Sequence, residues 1–376
     1  MSSTLHPDQH DGPRPDVILE LPEPWFANPD DGHHHRMLYT SLLSALARIE
    51  ARILLRPLGF GMDEAPREAG PGQLVISYHS RGEGPGVLRF KESYISGHYS
   101  MDRLGYAGFS ELARHPERFH AEIAAFDLPR GRACVSRLQS DFTQRNLSKY
   151  RQPSRDSDAL PERYFFFPLQ TVDDPVASLA EIDQIDALEA VLRHASSRGV
   201  AVIAKRHPLC RAKRVAHRLT GLAAEYPCLQ IRDGSVHRYI EQAKAVIGCN
   251  SGVLFESLIH GRPVVTFGKS DFRALTVPAR NIEEIPAALD AALPPDADAV
   301  ARFVGWYLNA YCTRADDVDH LEKRILGALS ELGATTFRAS ATTRQMRAFA
   351  RREKIRRREA IWGRSPIIRL LSRLVP

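Results

Sequence analysis

The sequence predicts an α/β protein of two domains, the second built on a parallel, doubly wound sheet. Its 376 residues suffice for about two domains of ordinary size, each with its own core. From residue 164 onward, short apolar runs (YFFFPL at 164–169, VAVIA at 200–204, then 229–232 and 245–247) alternate with helical spacing such as 181–198. That is the pattern of strands joined by helical crossovers. The stretch AVIGCNSGVLFESLIHGRPVVTFG (245–268) reads as strand, turn, helix, strand. Such a unit puts Asn250, Ser251 and Gly252 at the carboxyl edge of the sheet, where the unpaired N–H groups of a helix can receive a phosphate. Glu256, one turn further on, points back to that edge and can accept hydrogen bonds from ribose hydroxyls. An ordinary N-capped helix explains the same turn without a ligand.

In chain order, residues 1–35 are rich in Pro, Asp and His and form a mostly irregular lead-in, with DVILEL (16–21) as a candidate early strand. His33, His34 and His35 invite a metal, but consecutive residues cannot all aim at one ion and no matching ligand group follows, so they are assigned to a solvated loop. Residues 37–55 are amphipathic and helical, and QLVISYHS (73–80) is the first convincing strand. FKESYISGHYSMDRLGYAGFS (90–110) carries Glu92, His98, Asp102 and Arg103 without a clear period, which predicts a loop-rich region. Helices are expected over 111–127 and 132–149, and the polar, Pro-bearing QPSRDSDALP (152–161) reads as a linker. The expected division is a lead-in over 1–35, an N-terminal domain over 36–152, a second domain over 162–333 and a basic helical tail over 334–376. Residues 299–332 are expected to be helical, with Trp306 and Tyr307 packing between the domains.

The net charge of +6 is unevenly spread. From Arg338 to Pro376, twelve Lys and Arg face only Glu353 and Glu359, a net of +10 that leaves −4 for the rest. A nucleic-acid-binding body should carry its own basic face, so nucleic acid is not expected as a partner. The tail, in which basic blocks alternate with Phe349, Ile355, Ile361 and Trp362, suits an anionic membrane surface, with a solvated charged helix as the alternative. The five cysteines show no CxxC pair, and no apolar run approaches the roughly 20 residues of a membrane span. The N-terminal residues also lack the basic and apolar regions of a signal peptide, so a cytoplasmic protein with free thiols is expected.

Three strand ends of the second half deliver polar residues to one edge: Asp173 and Asp174, then Lys205, Arg206 and His207, then Asn250 and Ser251. Lys205 and Arg206 beside a helix terminus would neutralise a leaving phosphate. His207, held by the following proline, can hydrogen-bond a phosphate or an acid sugar, or shuttle a proton. Asp173 or Asp174 can attack an electrophilic carbon, and Asp174-Pro175 equally suits a helix cap followed by proline. No metal is called for, because the cations and the helix terminus can balance the leaving group, and adjacent Asp173 and Asp174 are only a minor candidate for one.

Four segments, KESYISGHYSMDRLGYAGFS, FFFPLQTVDDP, AKRHP and GCNSGVLFESLIHGRPVVTFG, together resemble the bacterial capsule polysaccharide biosynthesis family that includes retaining β-Kdo glycosyltransferases. The resemblance spans roughly residues 90 to 270. It implies a GT-B-like architecture of two Rossmann-type domains facing a cleft, and a CMP-activated donor of the eight-carbon acid sugar Kdo. It implies a glycan or glycolipid acceptor and no separate cofactor. Carried onto this chain, it implies Asp174, and after it Asp173, as nucleophile, with Glu92 as general acid/base from across the cleft. His207 and Lys205 would then meet the donor phosphate or carboxylate, with Arg206 and Gln170 nearby, while Asn250, Ser251, Gly252 and Glu256 hold CMP. Two features depart from the family pattern: proline follows Asp174, and the turn reads Cys-Asn-Ser-Gly rather than a serine pair.

Overall fold

The computed structural model describes residues 14–22, 32–58, 67, 69–153 and 159–332. The basic tail assigned to 334–376, most of the lead-in and the middle of the expected linker lie outside the described residues.

The first body is a six-stranded sheet. It comprises β1 (Asp16–Pro22), β2 (Arg52–Leu58), β3 (Gln73–Tyr78), β4 (Val87–Glu92), β5 (His98–Asp102) and, from far along the chain, β12 (Cys312–Arg314), in the order β12-β5-β4-β3-β1-β2. β1 pairs parallel to β2 and β3, and β3 parallel to β4. β5 runs antiparallel to both β4 and β12. The second body is wholly parallel: β6 (Tyr164–Pro168), β7 (Ala201–Lys205), β8 (Leu229–Ile231), β9 (Val246–Gly248), β10 (Val264–Thr266) and β11 (Val277–Pro278), ordered β11-β10-β9-β6-β7-β8.

Helices of eight residues or more are α1 (His33–Arg48), α2 (Leu128–Gln144), α3 (Gln184–Ser197), α4 (Lys213–Glu225), α5 (Gly252–Ile259), α6 (Glu284–Ala291), α7 (Ala297–Trp306) and α8 (Val318–Glu331). β6 shows why a continuous apolar run becomes a central parallel strand. Its side chains alternate, Phe165 and Phe167 entering one core and Tyr164 and Phe166 the core on the opposite face, and all four are buried. Each such side chain contributes about 1.5–3 kcal/mol by leaving water.

Several boundaries differ from the sequence-based expectation. Residues 16–22 are not lead-in: β1 lies between β2 and β3, with Val17 and Leu19 fully buried, so the first body begins no later than Asp16. The three histidines are not in a loop but open α1, where the left-handed Gly32 precedes them. Segment 90–110 is largely a β-hairpin, β4 and β5 joined by a turn at 93–97, because Phe90, Tyr99 and Met101 bury among the apolar residues of α1 and α8. Residues 299–332 are interrupted: α7 passes into a π-turn at Tyr307–Tyr311, then β12, then α8.

The two bodies also exchange elements. α2 packs on α7 and α5 and fills the second body's core with Cys134, Leu138 and Phe142, so it does not belong to the first body as the 36–152 division supposed. Conversely β12 and α8 complete the first body, α8 burying Leu321, Ile325 and Leu329 against α1, β3 and β4, so the second body does not extend to 333. Where the bodies meet, Gly108 lies so close to the Lys269 carbonyl that a Cβ would sit 2.3 Å from its oxygen.

Candidate active site

The carboxyl edges of the sheets face a cavity of about 420 Å³ lined from both bodies, within the size range of small-ligand pockets. In the second sheet the chain winds outward one way through β6, β7 and β8 and the other way through β9, β10 and β11, so the switch point lies between β6 and β9. Ligands bind open α/β sheets at such points. Gln170, following β6, and Asn250, following β9, are hydrogen-bonded to each other across it.

That pairing uses these two residues structurally. The Gln170 side-chain amide donates to Asn250 Oδ1 (3.0 Å) and its oxygen accepts the Asn250 N–H (3.3 Å), while the Asn250 amide donates to the carbonyls of Val176 (2.9 Å) and Lys269 (3.0 Å). Gln170's own backbone is tied to Gln184. Asn250 is therefore a buried clamp at the cavity floor rather than a phosphate ligand, and it holds the loop that carries Asp174.

In that loop Asp174 caps the short 3₁₀ turn Pro175–Leu179, accepting the Val176 N–H at 3.0 Å through Oδ1, and it lines the cavity. The two readings of this aspartate, cap and cavity carboxylate, thus coexist. Asp173 is exposed and is not among the cavity-lining residues, so the pair separates.

The β7 end is similarly divided. Lys205 is buried and donates to the carbonyls of Asp233 and Gly234, both at 2.8 Å, which anchors the turn after β8. Arg206 folds back to donate to the Cys210 carbonyl (2.6 Å). Both line the cavity while these hydrogen bonds tie them to neighbouring loops. His207 lines it too, its ring edge-on to Tyr150 at 5.0 Å. Its Nδ1 accepts the Leu209 N–H at 3.2 Å, which assigns the proton to Nε2 in the neutral ring. Burial lowers its basicity, opposed by Asp174 and assisted by Lys205, so the ring is neutral at pH 7 and Nε2–H is a donor.

At the β9 end Ser251 caps α5 by accepting the Val253 N–H at 3.2 Å, and Gly252 follows as the first helical residue; both line the cavity. Glu256, only 1% exposed, reaches the cavity from the next turn. Its Oε1 accepts the Ser148 hydroxyl (2.6 Å), whereas Oε2 is buried without a hydrogen-bond partner. Burial pushes this carboxyl up to about 8, against the Ser148 hydrogen bond, so it is neutral at pH 7.

From the first body, Glu92 ends β4 and lines the opposite wall. Its Oε1 accepts the Ser96 hydroxyl and the Gly97 N–H, both at 3.0 Å, and Lys149 Nζ lies 3.6 Å from Oε2. Burial pushes the Glu92 carboxyl up, but Lys149, the Gly97 N–H, His35 and Ser96 together outweigh it and hold it below the usual range. It is a carboxylate at neutral pH, suited to accepting a proton. His34 hydrogen-bonds with Ser96 (3.1 Å) and His35 with Tyr99 (2.7 Å), so the histidine run supports the Glu92 hairpin instead of pointing at one ion.

Sequence reasoning missed Ser148, Lys149 and Tyr150, which line the cavity from the connection between the bodies. α2 stops at Gln144, and the left-handed Asn146 (φ 53°) turns the chain toward the cleft. An asparagine beyond an amphipathic helix was the available signal. Also missed was a cluster at the cavity wall, where Tyr94 and Tyr307 donate to the two oxygens of buried Asp271 (2.7 and 3.1 Å), and Tyr94 stacks on Phe255 and Tyr307 and meets Phe272 edge-on.

Comparison with known proteins adds the following. Residues 97–279 match the family model described as capsule polysaccharide biosynthesis protein, the family that the four segments resemble. No curated protein matches the chain. Among solved structures, Thermosulfurimonas dismutans KpsC, a beta Kdo 2,4 transferase, is 15% identical over 84% of this chain and 99% of its own, with a TM-score of 0.50. The beta Kdo 2,7 transferase of KpsC from the same organism is 14% identical over the same shares, with a TM-score of 0.48. The likeness to the 2,4 transferase shows the fold, two sheet-based domains facing a cleft in the GT-B manner.

Proposed function

On the premise that residues 97–279 carry the capsule polysaccharide biosynthesis segment, we propose that this protein is a retaining glycosyltransferase that moves Kdo from CMP-Kdo to a glycan or lipid-linked acceptor. The observation that carries the reading is the single cavity into which Asp174, His207 and Glu256 project from one body and Glu92 from the other. A neutral His207 donating through Nε2, together with the α5 terminus at Ser251 and Gly252, suits an anionic leaving group. The neutral carboxyl of Glu256, with Oε2 unsatisfied, suits a ribose diol. Asp174 attacks the anomeric carbon and CMP departs with inversion. An acceptor hydroxyl, giving its proton to Glu92, then displaces Asp174 with a second inversion. We place the reaction on the cytoplasmic side, with the basic segment 334–376 meeting the anionic membrane where lipid-linked acceptors reside.

The test is incubation with CMP-Kdo, with and without glycolipid acceptor, followed by mass spectrometric mapping of protein-bound sugar. The expected result is a Kdo adduct on Asp174 that acceptor discharges. An adduct on neither Asp174 nor Asp173 refutes the mechanism, and CMP-Kdo binding without turnover points instead to a non-catalytic assembly protein.

A further inference from the structure

We propose that Lys149, in the connection between the bodies, is a positioning residue for the transfer: it acts through Glu92, aiming and charging the carboxylate that takes the acceptor's proton. This rests on the reading of Glu92 as the acid/base group. The Lys149 ammonium donates to the carbonyls of Glu92 (3.0 Å) and Ser93 (2.9 Å) and stands 3.6 Å from Glu92 Oε2. Glu92 Oε1 is meanwhile held by hydrogen bonds from Ser96 and Gly97, which leaves Oε2 facing the Lys149 ammonium. The side chains of Lys149 and Glu92 are only 25% and 14% exposed, and solvent screens the pair weakly. The preceding residue, Ser148, bonds Glu256 on the opposite wall, so two consecutive residues grip one carboxyl group on each side of the cleft.

The titratable groups facing Glu92 are Lys149, His34 and His35 from α1, Tyr78 from β3, Tyr99 from β5 and Tyr150 beside Lys149. Lys149 is the ammonium among them, and it stands within ion-pair distance of Oε2; burial lowers its basicity, and Glu92 and Asp174 oppose that. In the second displacement the acceptor oxygen bonds to the anomeric carbon, the sugar–Asp174 ester bond breaks with its electron pair returning to Asp174, and the acceptor's proton passes to Glu92. Without the cation, a desolvated Glu92 holds its own proton and cannot accept another.

The experiment compares kcat/KM against pH for wild type, Lys149→Met, Lys149→Arg and His34→Gln with CMP-Kdo and glycolipid acceptor. It is paired with a carbon-13 NMR titration of the Glu92 carboxyl, assigned with Glu92→Gln. Lys149→Met should move the acid limb upward, its rate relative to wild type falling about tenfold between pH 8 and pH 6, as expected for losing an opposite charge at this range. Lys149→Arg should restore the limb, and the Glu92 titration should move in the same direction. A uniform loss at every pH with an unmoved Glu92 resonance, or a limb displaced by His34→Gln and not by Lys149→Met, overturns the proposal. If wild type turns over no CMP-Kdo, the functional reading fails on its own, and the carboxyl titration still decides whether Lys149 charges Glu92.

Discussion

Replacing Glu256 by glutamine tests the neutral carboxyl at the cavity wall. The amide keeps the shape and an oxygen for the Ser148 hydroxyl, and puts an N–H where Oε2 carries its proton. The folded-state carboxyl titrates near 8 because it is buried, against an ordinary 4.5. Between those values the folded state holds a proton that the unfolded state has released, so the contribution of Glu256 to stability is full below 4.5 and is lost as pH rises toward 8. One pH unit is worth about 1.36 kcal/mol, so the 2.5 units up to pH 7 set a ceiling of about 3 kcal/mol. Glu256→Gln removes this term. In urea unfolding followed by circular dichroism from pH 4.5 to 8.5, the variant should gain on wild type progressively, by up to about 3 kcal/mol at pH 7, and the difference should level off above 8. A difference that does not change with pH would refute the argument that Glu256 is buried in its acid form.

Further outcomes follow from neighbouring contacts. Asp174→Asn should reduce turnover by at least about a thousandfold while leaving stability nearly unchanged, because asparagine caps as well as aspartate; exposed Asp173→Asn should change the rate less than about twofold. Asn250→Ala strands the Val176 and Lys269 carbonyls and the Gln170 amide, and should cost about 2–4 kcal/mol in urea unfolding as well as activity through the loosened Asp174 loop. Asp271, pushed up to about 6 by burial, should contribute a fall in stability as pH rises from about 4 to 6, and Asp271→Asn should make the slope shallower below pH 6 while leaving the Glu256 slope between 6 and 8 in place, in an unfolding series extended down to pH 4. Gly108→Ala drives a methyl group into the Lys269 carbonyl and should lower the melting temperature, with a penalty of about 1–3 kcal/mol, by prying the bodies apart.

The second body was largely legible because strands buried on both faces, such as Tyr164–Pro168 and Ala201–Lys205, are continuous apolar runs in the sequence. β4 and β5 were not, since Arg89, Lys91, Glu92, Ser100 and Asp102 interrupt them; Arg89 and Asp102 are buried only because partners distant in the chain or across a turn receive them. β12 has three residues and means nothing until β5 is beside it. At the site, sequence spacing placed Asp174, His207, Ser251 and Glu256 on one edge. Spacing does not say which polar groups the fold consumes: Lys205 and Asn250, expected to contact ligand, donate to loop carbonyls. Lys149 escaped because its meaning depends on Glu92, 57 positions earlier.

The reciprocal exchange of α2 against β12 and α8 has a practical corollary for dissection. A fragment cut at the midpoint would leave β5 with an unpaired edge and strip α1 of the helix that shields it, while the other half would lack one wall of its core. Neither half is a self-sufficient parcel, so soluble expression calls for both crossings in one polypeptide. A circular permutant joining 312–332 directly to the early strands is the design that would release the first body as an independent unit.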